Sequence, residues 1–157
     1  MKTLREQYKL VQSARGVLFD YLATIPFQKL HQPVEAFNNK SVCFVLNHIA
    51  LSYLSWLNEF ALKIPLLMTD ETAWQTMDDV RTFYTEVNDA AYNFVSSFDD
   101  KDTMITAHKK RQKQTFTFSV LELFTHVVTH EFHHKGMIVN MTRQLGFTPV
   151  DTDIIRF

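Results

Sequence analysis

Apolar side chains recur with the period of an α-helix through four long stretches of the chain, and this spacing restricts the possible folds most. A side chain repeated every three or four residues lies on one face of a helix, and that face has to be buried. The chain has only 3 Gly and 4 Pro in 157 residues, so few helix breakers interrupt the pattern. Four such helices predict an all-α protein, a four-helix bundle.

The ends of the predicted helices follow from capping residues and helix breakers. Pro26 stops the first helix, and Ser41 is a good N-cap for the second. Thr72 and Gln75 have the spacing of a capping box near the start of the third, and Gly146 ends the fourth. The predicted helical ranges are 4–25, 41–64, 69–98 and 119–145.

Two short β-prone segments lie between the third and fourth helices. Met104–Ala107 and Thr115–Phe118 flank a basic stretch, 108–114, so we predict a β-hairpin insertion packed on the end of the bundle. A solvated tip is favoured over a phosphate-binding one, because no aromatic side chains alternate with its charges. No repeat or linker divides the chain, which predicts a single domain over residues 1–157.

Charge and cysteine content restrict the environment and the partners. The net charge of -1 gives no reason to expect a nucleic acid or an anionic membrane as partner. The single cysteine, Cys43, cannot form an internal disulfide, and the N-terminus is charged where a signal peptide is apolar. Polar residues interrupt the most apolar segment, 42–64, which argues against a membrane span. We therefore predict a cytoplasmic protein, with a homodimer through apolar surface left on the first two helices.

Histidine is concentrated in the fourth helix, at His126, His130, His133 and His134. Residues four apart on a helix are turned by only about 40°, so His130 and His134 can point two imidazoles at one ion. Helical geometry predicts His134 near the centre of the apolar stripe and His130 to one side. Hydrogen-bonded structural histidines are the alternative, but a His-x-x-x-His pair on a buried face favours a metal.

A third metal ligand is expected from a facing helix, because two imidazoles do not make a tight site. His48 lies inside the second helix, where an unpaired imidazole would be costly, whereas His31 and His108 lie in loop contexts and are predicted to be solvated. The residues therefore predict one divalent transition metal bound by His48, His130 and His134. Three imidazoles suit Zn²⁺ or Ni²⁺ and leave a position open for water or substrate.

Several segments resemble the DinB/YfiT-like metalloenzymes, and the resemblance covers nearly the whole chain. The segments are Leu46–Ile49, His126–Gly136, Arg143–Gly146 and the tail 149–157 with Asp151 and Asp153. In that family the second-helix histidine and the His-x-x-x-His pair bind the metal, and these positions correspond here to His48, His130 and His134. The family often has His-Arg-Gly-Gln after the pair, whereas this chain has His134-Lys135-Gly136-Met137. Losing the Gln removes a polar group near the site.

The resemblance also implies a function. Related proteins are thought to use their metal with low-molecular-weight thiols, which implies a thiol-dependent S-transferase acting on small electrophiles. A metal-dependent hydrolase is an alternative, with Glu131 or Glu59 as base, although both could be solvent-facing partners of Lys or Arg. A non-catalytic metal-binding or stress-response module is the third possibility.

Three further side chains near His48 have two interpretations each. Tyr53 and Trp56 could line a pocket, although aromatic side chains at helical spacing more often belong to the core. Cys43 could be a sulfur ligand, but a buried inert thiol is favoured.

Overall fold

Four long helices and one hairpin make up most of the protein. The computed structural model describes residues 1–66, 69–109 and 113–156. Its α-helices are α1 (Lys2–Leu22), the short α2 (Phe27–Leu30), α3 (Val42–Tyr53), α4 (Met77–Ser96) and α5 (Val120–Gln144). The long helices α1, α3, α4 and α5 correspond to the four predicted ones, and the predicted four-helix bundle is confirmed. No helix in the described ranges is both long enough and apolar enough to span a bilayer.

The second long helix changes its hydrogen-bonding pattern half-way along. After Tyr53 it continues as a π-helix over Leu54–Leu62, and Lys63 ends it in the left-handed conformation with φ 60°. A π-turn is wider than an α-turn and is frequent at functional sites. Apolar spacing in the sequence predicts a helix here but does not distinguish the two types.

Two of the predicted helix starts are confirmed by their caps. The Ser41 hydroxyl accepts a hydrogen bond from the Phe44 N–H at the start of α3. At the start of α5, Ser119 and Glu122 form a reciprocal capping box. These caps fix where each helix begins and hence which side chains share a face.

The predicted start of the third helix is wrong. A short 3₁₀ helix, Glu71–Ala73, follows Asp70, and α4 begins only at Met77. Its capping box is Thr76 with Asp79, whose carboxylate accepts the Gln75 and Thr76 N–H groups at 2.8 and 2.9 Å. A carboxylate accepts more strongly than an uncharged amide, so this box prevails over the predicted pair Thr72 and Gln75.

A two-stranded antiparallel hairpin joins α4 to α5, as predicted. Its strands are β1 (Met104–Lys109) and β2 (Gln114–Ser119), and Met104 pairs with Ser119. The strands extend further than predicted and include His108 and Lys109, while residues 110–112 of the predicted tip lie outside the described ranges. The buried Lys109 ammonium donates to the Ser55 carbonyl oxygen at 3.3 Å, so the hairpin packs against the π-helix.

The apolar core contains a charged pair that apolar spacing does not predict. Arg15 of α1 and Glu131 of α5 meet through two hydrogen bonds of 2.7 Å, and both side chains are only 5% exposed. The Tyr53 hydroxyl donates to the same carboxylate at 2.6 Å. This cluster ties together three of the four long helices within an otherwise apolar interior.

The C-terminal tail is held against α5 by another buried cation, Lys135. The Lys135 ammonium donates to the Thr152 carbonyl oxygen and lies 3.8 Å from the centre of the Phe132 ring. Lys135 therefore anchors the tail to α5. Residue 157 lies outside the described ranges.

Candidate metal centre

Three imidazoles from α3 and α5 converge at one edge of the bundle. Ring nitrogens of His48, His130 and His134 all lie within 4.8 Å of one another. The Nε2 atoms of His48 and His130 are 3.1 Å apart, and the His130 and His134 ring centres are 4.4 Å apart. The structure therefore brings together the three histidines that the sequence predicts as ligands. Among the described residues, no carboxylate or thiol joins this group.

Helix packing places these imidazoles on facing surfaces. His130 and His134 are one turn apart on α5, so their side chains leave the helix in nearly the same direction. On α3 the neighbours of His48, Asn47 and Ile49, are buried, and Val127 is buried on α5. The packing of α3 against α5 sets the distance between His48 and the pair His130 and His134.

The predicted position of His134 near the centre of the buried face is wrong. His48 is exposed, and His130 and His134 are half-buried. The polar residues Glu131 and Lys135 occupy the buried face of α5, which turns the two histidines toward its edge. Apolar spacing alone does not reveal this rotation, because it treats buried charged residues as solvent-facing. The consequence is a site that a small molecule can reach.

The environment keeps the paired imidazoles uncharged. Burial, followed by the neighbouring His134 and His48 rings, lowers the pKa of His130 to about 4. Burial, followed by His48 and His133, lowers the pKa of His134 to about 4 as well. Both rings are therefore neutral at pH 7, which is the protonation state that binds a metal.

Two further histidines flank the converging group without joining it in the described structure. The His126 ring stacks on His130, with centres 5.7 Å apart, and meets Trp56 edge-on at 5.2 Å. The His133 ring meets His134 edge-on at 4.8 Å. His134 also contacts Met137, whose sulfur lies 3.0 Å from its Nδ1.

The two glutamates considered as bases lie in different environments. Glu131 is buried, and its carboxylate accepts hydrogen bonds from Arg15 and Tyr53, so its interpretation as a solvent-facing residue is wrong. Glu59 is 44% exposed and lies 3.7 Å from the Lys109 ammonium. The interpretation of Glu59 as a partner of a lysine is confirmed.

Burial decides between the two interpretations given above for Cys43 and Tyr53. Cys43 is fully buried, and burial, followed by the charge of Glu71, raises the pKa of its thiol to about 12, as expected of an inert thiol. Tyr53 belongs to the core.

The prediction that His31 is solvated is wrong. His31 is half-buried, and its Nε2 lies 3.0 Å from the Trp74 carbonyl oxygen. His108 is exposed as predicted, but it lies on the strand β1 and not in a loop.

The fold and the converging imidazoles define a class, a helical bundle with a candidate metal centre between two helices. The DinB family model matches residues 1–157, and the chain belongs to the DinB family. Protein DinB of Bacillus subtilis strain 168 is 24% identical over 147 residues, covering 89% of this chain and 84% of that protein.

Comparison with solved structures shows a shared fold. The chain is similar to YfiT from Bacillus subtilis, described as a probable metal-dependent hydrolase with an unusual four-helix bundle topology. The TM-score is 0.62 at 16% sequence identity, over 94% of this chain and 90% of YfiT. The DinB/YfiT-like resemblance noted in the sequence is thereby confirmed.

Proposed function

We propose that this protein binds one divalent transition metal ion through His48, His130 and His134, and that it is a metal-dependent enzyme. The observation that carries this proposal is the convergence of three imidazole nitrogens within 4.8 Å at an accessible edge of the bundle. YfiT, which shares the fold, is described as a probable metal-dependent hydrolase, and this description supports a metal-dependent function.

The three histidines fit a borderline ion such as Zn²⁺ or Ni²⁺. Two nitrogens at about 2.0–2.1 Å from one tetrahedral ion are about 3.3 Å apart, and the His48 and His130 Nε2 atoms are 3.1 Å apart. Three neutral ligands leave a position open and do not reduce the charge of the ion. When bound, such an ion would stabilise the thiolate form of a small thiol.

We further propose transfer of a low-molecular-weight thiol to a small electrophile. The family resemblance supports this reaction, and so does the burial of Glu131, which leaves that carboxylate occupied by Arg15 and Tyr53. A thiolate needs less help from a general base than water does. In the reaction the sulfur forms a bond to the electrophilic carbon, the leaving group takes the electron pair of the bond that breaks, and the thiol proton goes to solvent.

Hydrolysis is the second candidate, and the description of YfiT favours it. In that reaction water replaces the thiol, and Glu59 is the more exposed of the two glutamates considered. A non-catalytic metal-binding module is the third candidate. The three candidates give different results in one set of assays.

The test begins with metal analysis of protein purified without nickel resin. The metal-free protein is then loaded with Zn²⁺ or Ni²⁺ and assayed with a panel of small thiols and 1-chloro-2,4-dinitrobenzene. We expect turnover that needs both metal and thiol, that is lost in His134→Ala and that persists in His133→Ala, which removes an exposed imidazole outside the converging group.

The other outcomes are equally informative. Ester hydrolysis that needs metal but no thiol would replace the transferase with the hydrolase. Stoichiometric metal without turnover of any thiol or ester would favour the non-catalytic module. Failure of the protein to bind a divalent metal at all would overturn the whole proposal.

Met137→Gln is expected to tighten metal binding, by up to about tenfold. When His134 carries its proton on Nδ1, that N–H points at the Met137 sulfur 3.0 Å away and Nε2 is the free ligand. An amide oxygen accepts this hydrogen bond better than a thioether, so it fixes the tautomer and the ring orientation more firmly. The measurement is a competition titration of Zn²⁺ against a chromogenic chelator.

The matched control is Met137→Leu, which has a similar volume and no acceptor. Its affinity for Zn²⁺ should fall below that of the wild type, because the Nδ1–H of His134 loses its partner. Equal affinities of the Gln, Leu and Met forms would show that residue 137 does not orient His134.

A further inference from the structure

We propose that a cleft next to the candidate metal centre binds the aromatic part of a small, neutral substrate. The cleft has a volume of about 240 Å³ and is lined by Trp56, Phe118, Glu122, Leu123 and His126. Its role as a substrate site rests on the proposed function, whereas its ability to bind an aromatic molecule does not.

Three different elements supply the walls of the cleft. Trp56 comes from the π-helix, Phe118 from β2, and His126 from α5. The Trp56 ring meets Phe118 at 5.8 Å and 82°, and meets His126 at 5.2 Å and 76°. Apolar and aromatic walls with few polar groups are typical of small-molecule sites, and edge-to-face contacts are favoured between aromatic rings.

The indole of Trp56 is held in place before any ligand arrives. The Lys109 ammonium lies 4.3 Å from the ring centre, a cation–π contact, and is itself bonded to the hydroxyl and the carbonyl oxygen of Ser55. Phe60 packs against the same indole with ring centres 5.4 Å apart. A side chain fixed in this way loses little entropy when a ligand binds, which favours affinity.

The cleft lies next to the candidate metal centre, and the His126 ring stands between the two. This ring forms one wall of the cleft and stacks on His130 with centres 5.7 Å apart. The two residues are one helical turn apart, which is about 5.4 Å along the axis. A ring bound in the cleft against His126 is therefore one imidazole ring away from His130.

Size and charge restrict the ligand class. An apolar cavity of about 150 Å³ is large enough to bind benzene, so 240 Å³ accommodates one aromatic ring with short substituents. Among the described residues that line the cleft, Glu122 is the one acidic group, and its carboxylate accepts hydrogen bonds from the Ser119 N–H and hydroxyl. Its negative charge disfavours anions, and the Lys109 ammonium, 4.3 Å from the Trp56 ring centre, disfavours cations, so a neutral aromatic molecule is favoured.

The test uses metal-free protein and 4-fluoroanisole, a neutral aromatic probe. The chain has 2 Trp, so a Trp74→Phe background leaves Trp56 as the fluorescent reporter. We expect saturable binding, seen both in the ¹⁹F NMR linewidth of the probe and in Trp56 emission. Fluorocyclohexane, which has no aromatic ring, should bind more weakly.

Two variants locate the binding site. His126→Trp places a larger side chain in the cleft at an exposed position and should weaken binding at least tenfold, as read from the ¹⁹F linewidth because the variant adds a second indole. Phe118→Ala should weaken binding by removing a wall. Leu121→Ala, an exposed position on the same helix that does not line the cleft, should bind as the wild type does. Circular dichroism checks that each variant is folded.

The failures of the two proposals are distinguishable. Absence of saturable binding to the wild type, or unchanged affinity in His126→Trp, would overturn the cleft as an aromatic site even if the protein takes up Zn²⁺. Aromatic binding by a protein that takes up no divalent metal would support the cleft and overturn the proposed function.

Discussion

Arg15→Met is expected to lower the free energy of unfolding by about 3–5 kcal/mol, because it leaves the buried charge of Glu131 without its partner. The wild-type guanidinium makes two hydrogen bonds of 2.7 Å to that carboxylate, and both side chains are only 5% exposed. After the substitution the Tyr53 hydroxyl, at 2.6 Å, is the remaining donor to Glu131 among the described residues. Urea denaturation at pH 7 measures the change.

Two controls separate the buried charge from loss of packing. Arg81→Met removes the Arg81 partner of Asp20 at 2.6 Å, but these side chains are 37% and 77% exposed, so the cost should stay below about 1 kcal/mol. The double variant Arg15→Met, Glu131→Leu should recover much of the lost stability, since replacing a buried pair by apolar groups is often neutral. If Arg15→Met costs no more than Arg81→Met, the buried pair does not stabilise the fold as described.

The second large effect concerns the metal. For the wild type, Zn²⁺ at about 100 times its dissociation constant adds about 2.7 kcal/mol of stability. For a chain of this length that is a rise in Tm of roughly 5–10 °C. Differential scanning fluorimetry of metal-free and Zn²⁺-loaded protein measures this shift.

His130→Ala should abolish that rise. Structural zinc binds with about 10–16 kcal/mol through four ligands, so one ligand contributes about 3 kcal/mol, or roughly 150-fold in affinity. At the same Zn²⁺ concentration the stabilisation of the variant then falls below about 0.5 kcal/mol. The half-buried position of His130 makes a large change in the stability of the metal-free protein unexpected.

His133→Ala is the matched control, because it removes an exposed imidazole that contacts His134 but lies outside the converging group. It should keep most of the Zn²⁺-dependent rise in Tm. A full rise in His130→Ala would show that this ring is not a ligand. An equal loss in both variants would indicate diffuse binding to the histidine-rich surface of α5.

Local signals in the sequence predicted much of the fold. The caps at Ser41 and Ser119 and the breaker Pro26 act on backbone groups within a few residues, so their effects hold in almost any tertiary context. The start of α4 was predicted wrongly because two capping boxes compete within a few residues, and only the hydrogen bonds of Asp79 decide between them.

Other features depend on contacts between distant parts of the chain. The pairing of Arg15 with Glu131 joins residues that are far apart in sequence, and neither residue alone predicts a buried partner. The apolar side chains of Leu54–Leu62 predict a helix, but they do not predict that its hydrogen bonds take the π pattern. The cleft beside Trp56 needs three elements to meet, so no single motif indicates it.

The sequence by itself determined the helical bundle and the hairpin insertion, and it indicated three histidines as candidate metal ligands. Periodicity, caps and a His-x-x-x-His spacing are local properties, so they can be recognised without the tertiary structure. Only the tertiary structure decided that His48 meets the pair, and that the pair lies at the accessible edge of α5. The rotation of a helix about its axis is set by everything packed against it. In α5 the buried contacts of Glu131 and Lys135 set that rotation, and these contacts exist only in the folded chain.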